Sequence, residues 1–170
     1  MDVAEAIRTK RAIREFAADP LSADEVAWIL RAGRRAQSAK NRQPWQFIAI
    51  QDRETLEALS RTGTYAGHLA HAALGVVLAT PDPAERWSIL FDAGQAAAYM
   101  QLAAWERGVG SCLATIYEQE QARTLLGVPK DVHLPVALSF GRPLHPEQMT
   151  AAPRRGGRRP FAEMVHWDRW

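Results

Sequence analysis

The sequence has very little cysteine: Cys112 is the only one among 170 residues. A single thiol cannot form an intramolecular disulfide, and a structural zinc site built on thiolates would need several more. The chain also lacks an uninterrupted apolar run long enough for a signal peptide or a membrane-spanning helix. These absences disfavour secretion and membrane insertion, and we expect a protein of the reducing cytoplasm.

Lysine is scarce as well, because three Lys accompany 18 Arg, and the two together exceed the 19 acidic residues by only two. A net charge of +2 disfavours a protein that coats a polyanion, so a nucleic-acid partner is not expected. Hydrophobic residues make up 47% and charged residues 24%, the balance of a soluble globular protein. The length predicts one domain over residues 1–170.

Hydrophobic periodicity and capping residues predict a helix-rich chain with scattered strands, an α+β protein. The predicted helices begin at Asp2, run from Ser22 to about residue 36, follow Asp52, and cover 84–107 and 118–126. The predicted strands cover 45–50, 74–79, 111–114 and 136–141. The helix over 84–107 is apolar or small on nearly every face, which indicates either the centre of the domain or the seam of a dimer.

No familiar catalytic or metal motif is complete. Residues 108–113 lack the third glycine of a dinucleotide fingerprint and follow a helix, which excludes a Rossmann site. His68 and His71 have no further ligand at metal spacing, and Cys112 has no visible base, so core or surface packing is the favoured interpretation of all three. Three serines lack the Gly-x-Ser-x-Gly elbow of a hydrolase: Ser38, Ser111 and Ser139.

Two arginine-rich segments remain, one at residues 10–14 and the other at 154–159 within a Pro- and Gly-rich tail. Guanidinium groups suit bidentate binding of phosphate or carboxylate, so a phosphate-bearing cofactor would give both segments one purpose. Taken alone, each segment is equally typical of a solvated surface, and the pair leaves open a non-enzymatic domain that binds polyanions.

Several motifs, taken in order, give the chain a family resemblance. Residues 10–16, Lys-Arg-Ala-Ile-Arg-Glu-Phe, resemble the Arg-Arg-Ser-x-Arg-x-Phe opening of the nitroreductase family of FMN-dependent oxidoreductases. Residues 38–45 match that family's Ser-x-x-Asn-x-Gln-Pro-Trp segment. Further similar pieces are the Ala-rich helix from about Asp92, the 108–111 turn, the 126–129 helix stop, the 141–143 turn and residues 158–163. The resemblance covers essentially the whole chain.

The resemblance implies a three-layer sandwich with a mixed central sheet flanked by helices, in an intertwined homodimer with FMN at each subunit interface. It implies that residues 151–170 form a C-terminal arm reaching toward the partner subunit. It also implies a set of FMN-binding residues, with Ser38, Ala39 and Asn41 contributed by the other subunit: Lys10, Arg11, Ala12, Arg14, Ser38, Ala39, Asn41, Thr115, Ile116 and Arg158.

Within that resemblance, Lys10 and Arg11 lie by the phosphate and ribityl chain, with Arg158 as a second phosphate contact, and Arg14 faces the pyrimidine edge of the flavin. Backbone near Thr115 and Ile116 meets the N5 region. The chain has Ala12 where the family often has Ser, which removes one hydroxyl that could bind phosphate, and Gln37 where Pro commonly precedes the matched serine.

The activity implied is hydride transfer from NADH or NADPH through flavin N5 to an electron-poor small molecule, of the nitroaromatic or quinone type, by a ping-pong cycle. No side chain acts as acid, base or nucleophile, and no metal is required. The same fold and flavin could instead support flavin destruction, dehalogenation or enoate reduction.

Overall fold

The computed structural model describes residues 1–150 and 157–170. Its helices are α1 (Val3–Thr9), α2 (Ala23–Arg34), α3 (Arg53–Leu59), α4 (Ser88–Glu106), α5 (Gln119–Leu126) and α6 (Phe161–Met164). Its strands are β1 (Gln46–Ile50), β2 (Leu74–Thr80), β3 (Gly110–Thr115) and β4 (His133–Gly141). Short 3₁₀ turns cover Ala39–Asn41, Gly67–His71, Pro83–Glu85 and Pro146–Met149.

The helix starts follow the capping residues that the sequence displays. Asp2 accepts a hydrogen bond from the backbone of Glu5, and Asp52 accepts one from the backbone of Thr55. Ser22 and Glu25 form the reciprocal capping box at the start of α2. These side chains satisfy backbone N–H groups that have no partner within the helix, which fixes where each helix begins.

The helix boundaries differ from the sequence prediction in two places. The helix predicted from residue 84 begins instead at Ser88, because Pro83–Glu85 forms a separate 3₁₀ turn capped by Asp82. α2 ends at Arg34 rather than near residue 36. Strand β4 is longer than predicted at its start, since its pairing begins at His133 opposite Thr80.

The four strands form one sheet in the order β1-β2-β4-β3, and every neighbouring pair is antiparallel. The α+β class is confirmed. A mixed sheet was expected, but among the described residues the parallel contribution is a single bridge between Ala12 and Ser111 at the outer edge of β3. The connections from β1 to β2 and from β3 to β4 reverse the chain direction, whereas β2 and β3 run in the same direction on either side of β4.

Helices cover both faces of this sheet, so the fold has three layers. Alternate residues of β2 enter different cores, with Val76 and Leu78 packing with α2 and α4, and Val77 and Ala79 with α3 and α5. Every residue of β2 is buried, as predicted for a strand covered on both faces. Such two-sided burial places β2 and β4 at the centre of the molecule.

Helix α4 divides its surface between the core and the outside of the subunit. Ala93, Ala97 and Met100 are buried against the sheet, whereas Leu90 is 46% and Phe91 63% exposed. The centre-of-domain interpretation therefore does not hold for the single subunit, because one face of α4 is uncovered. In the part of the chain that the structure describes, no helix combines the length and apolar character needed to cross a membrane.

Candidate functional site

The first arginine-rich segment continues the sheet beyond its edge strand. Ala12 forms its bridge with Ser111, and the backbone N–H of Ile13 donates to the carbonyl of Ser111 at 3.0 Å. Further along, Phe16 bridges to Pro143 beyond β4. Ile13 and Phe16 are 1% and 7% exposed, so the segment is anchored by these buried side chains while the residues between them face outward.

Two glycines allow this close approach. A Cβ atom on Gly110 would lie 2.7 Å from Cβ of Ile13, and one on Gly141 would lie 2.8 Å from Cδ1 of Phe16. Both distances are too short for carbon atoms in van der Waals contact. The segment from Lys10 to Phe16 can therefore lie against the sheet only because both positions lack a side chain.

The cations of the segment lie near the thiol of Cys112. Within the described residues, the side chains of Lys10 and Arg14 form no hydrogen bond or ion pair. Partial burial lowers the pKa of Lys10, against an opposing influence of the Cys112 thiol. Burial raises the pKa of Cys112, while the charges of Arg14 and Lys10 act in the opposite direction. Two cations held without a carboxylate partner are suited to an anionic ligand.

Below this segment, His68 and Ser139 form a buried polar pair with 2.7 Å between His68 Nδ1 and Ser139 Oγ. Ser139 Oγ donates to the carbonyl of Cys112, which leaves the hydroxyl oxygen to accept from Nδ1–H. Burial, together with the charge of Arg14, lowers the pKa of His68 to about 4, so the ring is neutral near pH 7. His68 packs in the core, as the sequence favoured, and the described residues contain no cluster of metal-binding side chains.

The Ser38–Asn41 region forms a tight turn between α2 and β1. Ser38 Oγ accepts a hydrogen bond from the backbone of Gln43 at 2.8 Å, which closes the turn on itself. The backbone N–H of Ala39 donates to both carboxyl oxygens of Asp92 on α4, each at 3.2 Å. Ala39 and Asn41 are exposed and Ser38 is half-buried, so the turn presents these side chains to the outside of the subunit.

Thr115 ends β3 and Ile116 follows it, four or five residues along the strand from the Ala12 bridge. At about 3.3 Å per residue, Ser111 and Thr115 are separated by about 13 Å. The following backbone N–H groups of Tyr117 and Glu118 both donate to the carbonyl of Thr62, at 2.8 and 3.0 Å, which fixes this end of the strand. The expected N5-facing backbone is therefore at the opposite end of β3 from the cations.

The second arginine-rich segment lies partly outside the described residues, since residues 151–156 of the expected arm, including Arg154 and Arg155, fall there. Arg158 is exposed, and Arg159 pairs with Glu163 four residues later at 3.4 Å. The tail also carries exposed apolar side chains, with Phe161 at 70% and Trp167 at 79%. The structure thus brings Lys10, Arg14 and Cys112 together and leaves Arg158 on the surface.

A family model described as the nitroreductase family matches residues 7–64 and 60–142 of this chain. A protein of Archaeoglobus fulgidus named "Putative NADH dehydrogenase/NAD(P)H nitroreductase" is 31% identical over 173 residues, and the match covers 96% of both proteins. The chain belongs to the nitroreductase family, and the predicted membership of this family of oxidoreductases is confirmed.

Solved structures agree with this assignment. An FMN-dependent nitroreductase from Clostridium difficile R20291 is 25% identical, with a TM-score of 0.85 over 99% of this chain and 100% of that one. An NADPH:FMN oxidoreductase from Vibrio harveyi, complexed with NAD⁺, gives a TM-score of 0.85 over 98% of this chain and 77% of that one, at 22% identity. The second likeness establishes the fold alone.

Sequence reasoning did not find Asp92 or the pair formed by His68 and Ser139. Asp92 is a charged residue within a largely apolar helix, a pattern that could have indicated a buried hydrogen bond. His68 and Ser139 are 71 residues apart, and neither has a local sequence signal that would connect them. The pairing of β2 with β4, together with the 3₁₀ turn at Gly67–His71 that leads into β2, brings them together.

Proposed function

We propose that this chain is an FMN-dependent oxidoreductase that takes reducing equivalents from NADH or NADPH and delivers them to an electron-poor small molecule. The observation that carries the proposal is the cation pair formed by Lys10 and Arg14, which the fold holds beside β3 without a carboxylate partner among the described residues. An FMN phosphate and the electron-rich pyrimidine edge of reduced flavin both match this donor set.

The residues present fit the cofactor in their chemistry. Lys10 and Arg11 supply positive charge for the phosphate and ribityl chain, and Arg158 is a further contact from the tail. Exposed Ala12 offers backbone but no hydroxyl, so phosphate binding depends on the neighbouring cations. When bound, FMN supplies hydride chemistry at N5, in a ping-pong cycle with a nitroaromatic or quinone-type acceptor.

Arg14 is the residue that tunes this chemistry. Its guanidinium faces the pyrimidine edge, where a fixed positive charge stabilises the negative charge that accumulates during reduction. Neutral His68, buried next to Arg14, adds no second charge beside the guanidinium. Thr115 and Ile116 contribute backbone near N5. These roles require positioning and charge, with no side chain in proton transfer.

The functional unit is a homodimer, and each FMN lies between subunits. Exposed Leu90 and Phe91 on α4, with Trp87 just before it at 79% exposure, form an apolar surface of the kind that subunit contacts cover. Ser38, Ala39 and Asn41 then approach the FMN held by the partner's first arginine-rich segment. Residues 151–170 serve as an arm of the single domain, and Phe161 and Trp167 provide its apolar contacts. The proposed location is the cytoplasm.

The test starts with the protein as purified. We expect a yellow dimer with the visible absorption of oxidised flavin, which oxidises NADH or NADPH when a nitroaromatic or a quinone is supplied. Sedimentation measures the mass and the flavin content of the same species. A colourless monomer that fails to bind added FMN, or a flavin-loaded protein that oxidises neither nicotinamide with any of several acceptors, contradicts the proposal.

Product analysis separates the reactions available to the same flavin. Nitro reduction yields hydroxylamine or amine products and leaves FMN intact over many turnovers. Loss of the flavin spectrum, release of halide, or saturation of an activated alkene would instead identify flavin destruction, dehalogenation or enoate reduction. The acceptor assignment is withdrawn if one of these reactions proceeds and nitro reduction does not.

A further inference from the structure

The turn that follows α2 has an unusual backbone. Lys40, Asn41 and Gln43 have φ angles of +54°, +53° and +49°, in the left-handed region that L residues rarely adopt. Three such residues among four successive positions make this the most strained stretch of the described chain. Strained conformations persist only where surrounding contacts hold them, and they concentrate at binding and catalytic sites.

Helix α4 supplies the contact that holds this turn from outside. Asp92, only 2% exposed, accepts the Ala39 N–H with both carboxyl oxygens at 3.2 Å. One helical turn later, Ala96 packs against Ala36 and Trp45, the residues on either side of the turn. One helix therefore contacts the apex and both flanks of the strained turn.

Asp92 is an unfavourable choice for stability alone. Burying a carboxyl group costs free energy that few hydrogen bonds recover, and the one donor to Asp92 in the described residues is the Ala39 N–H. An apolar residue would avoid this cost, and the N–H of exposed Ala39 could turn to water. The presence of a carboxylate at this position is therefore explained by the conformation that it imposes on the turn.

We propose that Asp92 is a positioning residue for FMN: by holding the Ala39 N–H it sets the conformation in which Ser38 and Asn41 meet the cofactor of the partner subunit. This inference rests on the proposed function. It also connects the two proposed roles of α4, contact with the partner subunit and support of the turn, because Asp92 is next in sequence to exposed Phe91. The contact surface of the dimer and the cofactor-facing turn are thus fixed by the same helix.

The experiment compares FMN affinity with thermal stability. In Asp92→Leu we expect the FMN dissociation constant, measured by fluorescence quenching on apoprotein, to rise at least tenfold while the Tm stays the same or increases. Asp92→Asn retains one acceptor oxygen, so its dissociation constant should remain within threefold of the original protein. Visible circular dichroism of bound FMN should change in Asp92→Leu and recover in Asp92→Asn.

A matched control removes a similar hydrogen bond elsewhere. Asp52 also accepts a backbone N–H, that of Thr55 at 2.8 Å, but it caps α3 in the other helical layer. Asp52→Leu should lower the Tm and leave FMN affinity unchanged, the opposite pattern to Asp92→Leu. A merely structural role for Asp92 would give the two variants the same pattern.

A second variant tests the hydrogen bond itself. Ala39→Pro removes the N–H that Asp92 accepts, at the first position of a 3₁₀ turn, and the extended Ser38 before it (φ −150°, ψ 154°) is compatible with a following proline. In this background Asp92→Leu should no longer change FMN affinity. If Asp92→Leu weakens FMN binding equally in the original and the Ala39→Pro backgrounds, or leaves the original affinity intact, the inference is wrong. If the unmodified protein does not bind FMN, the proposed function fails instead.

Discussion

The two arginine-rich segments differ in what surrounds them. Residues 10–14 are held to the sheet by a backbone bridge and by Ile13, which is 1% exposed, so the backbone that carries the cations on either side of this anchor has a fixed position. Arg158 and Arg159 are exposed, and the described contact of Arg159 is local, with Glu163. The two segments are thus similar in composition but differ in what orders them. The fold of one subunit orders residues 10–14, whereas we propose that a partner subunit orders the tail.

The largest expected effect comes from displacing the ordered segment. Gly110→Ala introduces a methyl group 2.7 Å from Cβ of Ile13, so Ile13 and the cations beside it must move. We expect a loss of about 3 kcal/mol in unfolding free energy and an FMN affinity about 100-fold weaker. Chemical denaturation and FMN titration measure the two quantities.

The control for this variant is Gly67→Ala, where an added Cβ meets nothing within 4 Å. It should leave FMN affinity unchanged. If Gly110→Ala also binds FMN normally, the ordered backbone of residues 10–14 does not contribute to FMN binding. The two arginine-rich segments would then not differ in function.

The next effect is acid sensitivity at the base of the ordered segment. Burial, with the Arg14 charge, lowers the pKa of His68 from 6.5 to about 4, so the unfolded chain binds more protons between these pH values. This histidine therefore contributes stability above pH 6.5 that is lost as the pH falls toward 4, up to about 3 kcal/mol. His68→Asn should remove this component from unfolding free energies measured between pH 4 and 7.

Arg14 itself provides a sharper test of ordered charge. Arg14→Gln should slow flavin reduction by NADH or NADPH about tenfold, or about 1.4 kcal/mol in activation free energy. Its unfolding free energy should change by less than about 0.5 kcal/mol because the side chain is exposed. The pKa of His68, followed by NMR, should rise once the neighbouring charge is removed.

For comparison, Arg61→Gln removes an exposed cation that pairs with Glu57 on α3. Stopped-flow reduction of this variant should match that of the unmodified protein. An unchanged reduction rate in Arg14→Gln would remove Arg14 from the proposed site.

The smallest effect is expected from the tail. Arg158→Ala should weaken FMN binding about threefold, or about 0.6 kcal/mol, since a contact made by an exposed side chain is screened by solvent. Arg159→Ala is the matched variant, because Arg159 already pairs with Glu163. If Arg158→Ala costs as much affinity as Gly110→Ala, the tail is as ordered as residues 10–14 in the functional assembly, and the contrast drawn from one subunit is wrong.

Much of the fold was accessible from sequence because its signals are local. Caps at Asp2, Ser22 and Asp52 fixed three helix starts, and the apolar run of β2 indicated its two-sided burial. The start of α4 was misplaced because the absence of proline and the apolar composition from residue 84 onward do not distinguish a 3₁₀ turn from the first turn of a helix. The nearly complete antiparallel order of the sheet depends on pairings between distant residues, which no local pattern records.

The candidate site was predicted through sequence motifs. The resemblance of residues 10–16 to the family's opening motif singled out Lys10 and Arg14, and the structure adds that Gly110 and Gly141 allow their segment to lie against the sheet. The role of Asp92 could not be derived, because its partner Ala39 is 53 residues away and contributes only a backbone N–H. Almost any residue can donate a backbone N–H, so the residue type at the donor position gives no signal for such a contact.

The solitary cysteine gives this protein a built-in reporter. Cys112 is 3% exposed and lies close to the cations of residues 10–14, so a thiol-labelling reagent reaches it only when the edge of the sheet opens. Because the chain has no other thiol, each modification event registers that one opening without background. The rate of labelling thereby measures how often this edge of the sheet opens, and a ligand that closes the edge should slow the labelling.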